Sequence, residues 1–200
     1  MNKYLVFLGK LFLISFFFSS GSFANIVDPK DFIQVIVDDA KKILVATNTP
    51  EYKSEKLIEI AKKKVDIHGI GLYTLGSYRK NLSDSQKKEY SEIFEKYFLK
   101  SFTSRLTDYS DPKINVISSE KKNEKYTIVY SILLSTKKKP EVKIDWRVYT
   151  KDPSRPLIRD LIIEGLSLAR TQKEEFASII KSNDGDINAL FIKLKEFIND

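Results

Sequence analysis

The stretch LIIEGLSLARTQKEEF, residues 161–176, runs from a strand-like pattern into a helix-like one. Its apolar start ends at Glu164-Gly165, where glycine permits a tight turn and a close backbone approach. The segment after Ser167 is charged and helical in character. The order strand, serine, helix leaves two interpretations of Ser167. It is either a polar residue between strand and helix or a nucleophile, because residues 165–169 nearly match the G-x-S-x-G elbow of hydrolases.

The partners that a serine nucleophile needs are missing from the expected place. In the hydrolases with this elbow the catalytic histidine follows the serine, whereas the only histidine here, His68, precedes it. The pattern therefore favours Ser167 as a polar residue at a junction. A carboxylate pair for glycoside hydrolysis stays open, since any two acids can meet in space, although no particular pair is indicated. One histidine and no cysteine predict neither a metal site nor a cofactor.

Residues upstream of this stretch alternate between apolar and polar, which predicts four strands. They span Ile114–Ser118, Lys125–Ser135, Val142–Tyr149 and Leu157–Glu164. Because the connections are short and polar, we expect an antiparallel meander.

The last two predicted strands suggest their own register. If paired residue numbers sum to 307, Arg147 faces Asp160 and Trp146 faces Leu161, so that charges share one face and apolar side chains the other. Arg159 is the exception on the apolar face. Extending that face backward predicts one inner row, formed by Ile114, Tyr130, Trp146 and Leu161.

Helical periodicity and capping signals occupy the rest of the chain after residue 27. Ser83 and Gln86 form a capping box ahead of a helix with an aromatic face. The predicted helical segments are, in order, 29 to about 47, 50–64, 68–78, 84–106, 171–181 and 186–197. The sequence thus predicts an α+β domain, residues 25–200, in which N-terminal helices pack on a twisted four-stranded antiparallel meander and two C-terminal helices follow.

The first 24 residues have the layout of a secretory signal peptide. Lys3 and Lys10 precede the apolar run 11–18, and Ser22-Phe23-Ala24 predicts cleavage after Ala24. We therefore expect a soluble, exported protein. The net charge of +7 falls to +5 without these residues, which in an exported chain favours anionic lipid or an acidic partner over nucleic acid. The absence of cysteine excludes disulfides, a cysteine nucleophile and lipobox acylation.

Two motifs carry a resemblance to a known family. They are Leu75-Gly76-Ser77-Tyr78 and the D-x-x-x-E-G-x-S-L pattern of residues 160–168, in the order and spacing of that family. From about Asp28 onward the chain resembles MlaC, the periplasmic phospholipid-binding or toluene-tolerance family. It departs at Arg79, where members often have tryptophan, and at Gln172-Lys173, where they often have Tyr-Arg.

The resemblance implies a carrier rather than an enzyme. Such a carrier holds phospholipid by its acyl chains between helices and sheet, and shuttles it between an outer-membrane lipoprotein complex and an inner-membrane ABC transporter with an MCE-domain subunit. The residues expected to line an apolar cavity are Leu72, Leu75, Tyr78, Phe94, Phe98, Phe102, Ile114, Ile128, Tyr130, Ile132, Ile144, Trp146, Leu161, Ile163, Leu166 and Phe176. The candidates for head-group or partner contacts are Lys137, Lys138, Lys139, Arg159, Arg170 and Lys173. Two alternatives remain, an exported hydrolase and a periplasmic binding or assembly module with a filled core.

Overall fold

A computed structural model describes residues 26–106, 111–136 and 140–200. The predicted signal peptide and the Lys137–Lys139 turn lie outside these residues. Within them the chain is α+β, as predicted, with six α-helices, one 3-10 turn at Tyr78–Lys80 and one five-stranded sheet. The helices are α1 Pro29–Val45, α2 Pro50–Lys64, α3 Ile67–Thr74, α4 Asp84–Leu106, α5 Leu168–Ser182 and α6 Ile187–Asn199. The strands are β1 Ile114–Asn123, β2 Tyr126–Leu133, β3 Val142–Tyr149, β4 Leu157–Ile163 and β5 Leu166–Ser167.

Side-chain caps set where the helices begin. Asp28 accepts hydrogen bonds from the Lys30 and Asp31 N–H groups ahead of α1. At α4, the Ser83 hydroxyl accepts from the Gln86 N–H at 3.2 Å while the Gln86 side chain accepts from the Ser83 N–H at 3.0 Å. This reciprocal pair is the predicted capping box. None of the described helices has both the length and the apolarity needed to cross a membrane.

The sheet is an antiparallel meander in the order β1-β2-β3-β4-β5. β1 is longer than predicted because the turn that ends it lies later in the chain. There the Asn123 side chain accepts hydrogen bonds from the Lys125 and Tyr126 N–H groups and forms a tight loop. The short fifth strand, β5, was not predicted.

One predicted register is right and another is wrong. Trp146 pairs with Leu161 and Arg147 with Asp160, as predicted, and a bulge then accommodates Arg159. On the other side of β3, however, Trp146 pairs with Val129, while Tyr130 pairs with Asp145. The predicted inner row is therefore wrong, because Tyr130 lies on the opposite face from Trp146 and Leu161.

The predicted pairing of Ile114 with Tyr130 is wrong as well. Ile114 pairs with Leu133 instead of Tyr130. The physical reason lies in β2, whose sequence YTIVYSIL has tyrosines and isoleucines on one face but also Val129 and Leu133 on the other, so that both faces carry apolar side chains. Alternation cannot determine a register where both faces are apolar.

Two apolar cores flank the sheet. The first covers one face of β1–β4 with α1, and its buried members are Phe32, Ile33, Ile36, Val37, Val116, Val129, Val148 and Ile158. The second is formed largely by α3–α6 and includes Tyr90, Phe94, Phe176, Leu190 and Phe191. The sheet face that carries Ile128 and Tyr130 is not covered by α1, and it borders the candidate site.

Candidate functional site

A cavity of about 800 Å³ lies between α3 and the sheet face opposite α1, and it opens to solvent. Its volume falls within the range of small-molecule sites, about 300–1,000 Å³. Its walls come from α3, the following 3-10 turn, the β1–β2 hairpin, β2–β4 and the start of α5. The lining residues are Gly69, Ile70, Leu72, Tyr73, Arg79, Lys122, Asn123, Tyr126, Ile128, Tyr130, Asp145, Arg147, Arg159, Ile162 and Ala169.

The helical wall depends on two glycines in α3. Asp66 caps this helix by accepting the Gly69 N–H at 2.9 Å, and a Cβ at residue 69 would lie 2.4 Å from the Asp66 carboxylate. A Cβ at residue 71 would lie 2.8 Å from the Phe94 ring. Glycine at both positions therefore lets the capped helix pack directly on α4. Ile70, Leu72 and Tyr73 then form the apolar side of the cavity.

The sheet wall is mixed rather than purely apolar. Ile128 and Ile162 contribute aliphatic surface, whereas Asp145 and Arg147 contribute charges. The Asp145 carboxylate forms no hydrogen bond or ion pair with the residues that the structure describes. Burial in the wall raises the pKa of its carboxyl group, because desolvation penalises the charged form. Of the predicted inner row, Ile114 and Trp146 pack against the α1 core instead, whereas Tyr130 lines the cavity.

Asp160 accounts for the first and last polar positions of the motif in residues 160–168. Its buried carboxylate accepts the Ser167 hydroxyl at 2.6 Å and the Ala169 N–H at 2.9 Å, and it lies 3.4 Å from the Arg147 guanidinium. Ser167 in turn accepts the Arg170 N–H at 3.1 Å and so caps α5. These bonds join the end of the sheet to the start of the last helical pair.

The turn between Asp160 and Ser167 needs left-handed backbone conformations. Glu164 and Gly165 have φ values of 50° and 81°. Such values suit a two-residue hairpin loop. Ser167 thus acts as a cap whose hydroxyl donates to a carboxylate, while the imidazole of His68 lies 3.3 Å from the Ser91 hydroxyl. The geometry at Ser167 is not that of a serine–histidine pair.

Arg159, the bulged residue, closes one end of the cavity. Its guanidinium lies 2.6 Å from the Asp66 carboxylate, donates to the Tyr126 hydroxyl at 3.0 Å, and stacks 3.8 Å from the centre of the Tyr149 ring. Asp66 is held in place because its N–H donates to the Ile158 carbonyl. The bulge turns Arg159 away from the α1 core, so it is not the misfit that simple alternation suggested.

Of the predicted site residues that the structure describes, four line this cavity: Leu72, Ile128, Tyr130 and Arg159. Leu75, Phe94 and Phe176 belong to the filled helical core, with Tyr78 and Phe98 packed against it and Phe102 stacked on Phe98. Ile114 and Trp146 pack against the α1 core, and Ile144, Leu161 and Ile163 share the sheet face of Trp146. Ile132 lies on the same face as Tyr130 but beyond the cavity, and Leu166 is exposed.

The predicted cations have different surroundings. Arg170 forms an exposed ion pair with Glu174, and Lys173 lies over the ring of Tyr73 at 5.3 Å. Among the lining residues that were not predicted from the sequence are Asp145, Arg147, Lys122 and Tyr73. Arg79 was expected only as a departure from the family pattern. A correct β2 register would have identified the first two, since they share the face of Tyr130.

Comparison with protein families identifies the family of this chain. The model of the family described as MlaC protein matches residues 30–196. The chain belongs to the MlaC family. No curated protein sequence matches the chain.

A solved structure supports the same architecture. It is the phospholipid-binding protein from Ralstonia solanacearum in complex with a phospholipid, with a TM-score of 0.72 and 18% identity over 86% of this chain and 98% of that one. At this identity the likeness establishes a shared fold. Among the described residues of the MlaC-family chain, no group of three or more histidine, cysteine, aspartate or glutamate side chains is placed to hold a metal ion.

Proposed function

We propose that this MlaC-family protein is a phospholipid carrier that encloses acyl chains in the cavity between α3 and the sheet. The observation that carries this proposal is the cavity of about 800 Å³, set in a fold shared with a protein that binds phospholipid. Ile70, Leu72, Ile128 and Ile162 provide the aliphatic surface that acyl chains need.

The free-energy cost of exposing acyl chains to water explains why a carrier needs a cavity. Moving about thirty methylenes into water costs on the order of 24 kcal/mol, at about 0.8 kcal/mol each. A phospholipid monomer therefore does not cross an aqueous space unaided at a useful rate. A protein that covers the chains removes most of this cost. Release requires the opposite, so we infer that docking on a membrane partner favours a more open state.

The cellular setting is part of the same proposal. Cleavage after Ala24 would deliver the protein to the periplasm. There it would shuttle lipid between an outer-membrane lipoprotein complex and an inner-membrane ABC transporter with an MCE-domain subunit, and so maintain the lipid asymmetry of the outer membrane. We infer that contact with these partners involves cationic residues outside the proposed lipid site, and the candidates are Lys137–Lys139 and Arg170. Site-specific cross-linking from these positions in cells would identify any such contact.

Mass spectrometry of an organic extract of the purified protein tests the carrier directly. We expect phospholipid to be recovered at near one molecule per chain. Leu72→Trp should reduce this amount strongly, because Leu72 lines the cavity and the larger side chain occupies the space of an acyl chain. Val35→Trp is the matched control, since Val35 is 52% exposed on α1 and outside the cavity.

Two results would argue against the proposal. One is purified protein without lipid that also fails to take up phospholipid from vesicles. The other is equal lipid content in the Leu72→Trp and Val35→Trp variants, provided that both are folded by circular dichroism.

A further inference from the structure

Among the described residues four cations line the cavity, and three of them are already paired with a carboxylate. Arg147 is paired with Asp160, Arg159 with Asp66, and Lys122 with Glu120. The fourth, Arg79, forms no ion pair with any residue that the structure describes. Because a paired cation has little remaining attraction for an anion, the unpaired arginine is the strongest anion-binding group of the lining.

Arg79 is held at the cavity wall by a single hydrogen bond. Its Nη1 donates to the backbone carbonyl of Leu72 at 3.2 Å. Leu72 lies in the last turn of α3, where carbonyl groups lack helical partners and the helix end is partially negative. This bond anchors the side chain beside the cavity and leaves the remaining N–H groups of its five-donor fork available.

Lys173 lies near the same end of α3. Its ammonium lies 5.3 Å from the ring centre of Tyr73, the residue after Leu72, and Tyr73 also lines the cavity. The Lys173 side chain passes close to Gly76, where an added Cβ would lie 3.0 Å from Lys173 Cε. Gly76 also has a φ of 57°, so both its backbone conformation and the nearby Lys173 side chain favour glycine at this turn. Lys173 likewise forms no ion pair with a described residue.

The geometry points to Arg79 and Lys173 as a phosphate-binding pair at the mouth of the cavity, which holds the phosphate of a diacyl phospholipid whose chains lie inside. Both cations meet neighbouring residues of α3, since Lys173 lies over the ring of Tyr73, which is 40% exposed, and Arg79 binds the carbonyl of Leu72. An arginine fork with a nearby ammonium matches the several acceptor oxygens of a phosphate group. This inference rests on the proposed carrier function and adds the chemical group that selects the ligand.

The test compares two ligands that differ in the phosphate. The delipidated protein is titrated with a fluorescent phosphatidylglycerol and with a diacylglycerol of the same acyl chains and label. We expect the wild type to bind the phospholipid at least about tenfold more tightly, as hydrogen bonds to charged groups allow. In Arg79→Gln/Lys173→Gln the ratio of the two Kd values should fall toward one.

The control is Lys80→Gln/Lys181→Gln, which removes two exposed lysines outside the cavity lining and the same total charge. It should keep the wild-type ratio. A fall of equal size in the control would overturn the inference, because it would indicate a general charge effect. An unchanged ratio in Arg79→Gln/Lys173→Gln would overturn it as well.

The remaining outcomes separate this inference from the carrier proposal. If the wild type binds both ligands with equal Kd, the carrier stands and the phosphate-binding pair is rejected. If neither ligand binds, the carrier fails and the pair fails with it. Inorganic phosphate alone is the third probe. It could raise the Tm of the wild type but not of Arg79→Gln/Lys173→Gln, while the two lipids bind with equal Kd. In that case the pair binds a free anion, and its assignment to the lipid phosphate is wrong.

Discussion

The two faces of one sheet differ in how they are filled. Val129 and Val148 are completely buried against α1, whereas Ile128 and Arg147, their neighbours in the chain, line a cavity of about 800 Å³. The same strands thus provide a close-packed core on one side and a solvent-accessible hollow on the other. The comparison indicates that the α1 side supplies packing stability and allows the opposite side to remain open.

The cavity side is held by polar contacts rather than by packing. Asp160 on β4 connects Arg147, Ser167 and the Ala169 N–H, and the Arg159–Asp66 pair joins the sheet to the start of α3. These contacts fix the walls at a distance from each other. A hollow with fixed walls can accept a ligand without first unfolding its surroundings.

The largest effect is expected for Asp160→Ala. The change removes a buried carboxylate and leaves the Arg147 guanidinium, the Ser167 hydroxyl and the Ala169 N–H without their acceptor. We expect the free energy of unfolding to fall by about 3–5 kcal/mol, because each buried donor left without an acceptor costs about 1–3 kcal/mol. Urea denaturation measures it. Glu174→Ala, which breaks the exposed pair with Arg170, should cost about 0.5 kcal/mol or less. Similar losses for the two variants would contradict the assigned role of Asp160.

A second prediction compares two isoleucines of the same strand. Ile158 lies in the α1 core, whereas Ile162 lines the cavity. Ile158→Ala should lower the free energy of unfolding by about 2–5 kcal/mol, and Ile162→Ala by less than about 1.5 kcal/mol, because a side chain beside an existing hollow loses fewer packing partners.

Lipid affinity should show the reverse order for the same two variants. Ile162→Ala is expected to weaken acyl-chain binding more than Ile158→Ala does, since only Ile162 faces the proposed ligand. If Ile158→Ala and Ile162→Ala lose the same stability and bind lipid with the same affinity, the two faces of the sheet do not differ in the way described.

The smallest effect concerns Asp145 and pH. Desolvation raises the pKa of this carboxyl group above its ordinary value of 3.8, and Glu164 acts in the same direction, while Lys143 and Lys122 oppose it. A raised pKa in the folded state means that protonation stabilises the fold. This contribution is therefore present below the ordinary pKa and is lost as pH rises through the raised pKa.

Acyl chains in the cavity would desolvate Asp145 further, so lipid affinity should decrease over the same rise in pH. We expect a change of less than about tenfold, the equivalent of one pKa unit. Asp145→Asn should bind lipid at least as tightly at neutral pH and lose this dependence, as measured by fluorescence titration from about pH 4 to 7. Asp39→Asn, an exposed change on α1, is the control and should keep the wild-type profile. A pH profile of Asp145→Asn that matches the wild type would show that another group titrates.

Local signals explain why much of the fold could be predicted. The Asp28 and Thr49 caps and the Ser83–Gln86 box act within four residues, so the sequence near each helix start contains the whole cause. The register of β3 and β4 was predictable for a related reason. Opposite charges at Arg147 and Asp160 and apolar residues at Trp146 and Leu161 distinguish the two faces.

The β2 register and the site could not be predicted in this way. Val129 and Tyr130 are both suitable for a buried face, and only packing against α1 selects Val129. That choice places Tyr130, Asp145 and Arg147 on the cavity side. The pairing of Asp160 with the Ser167 hydroxyl also depends on contacts across a turn that the near match to a hydrolase motif does not reveal.

The amino-acid sequence alone specifies the α+β class, the order of its elements, the helix caps and the pairing of the last long hairpin, because these follow from interactions between near neighbours and from side-chain alternation. The location of the cavity and the identity of its lining were decided only in the tertiary structure. Whether two facing layers meet or stay apart depends on the summed contacts of distant segments, and an aromatic residue has the same appearance in a sequence whether it fills a core or borders a hollow.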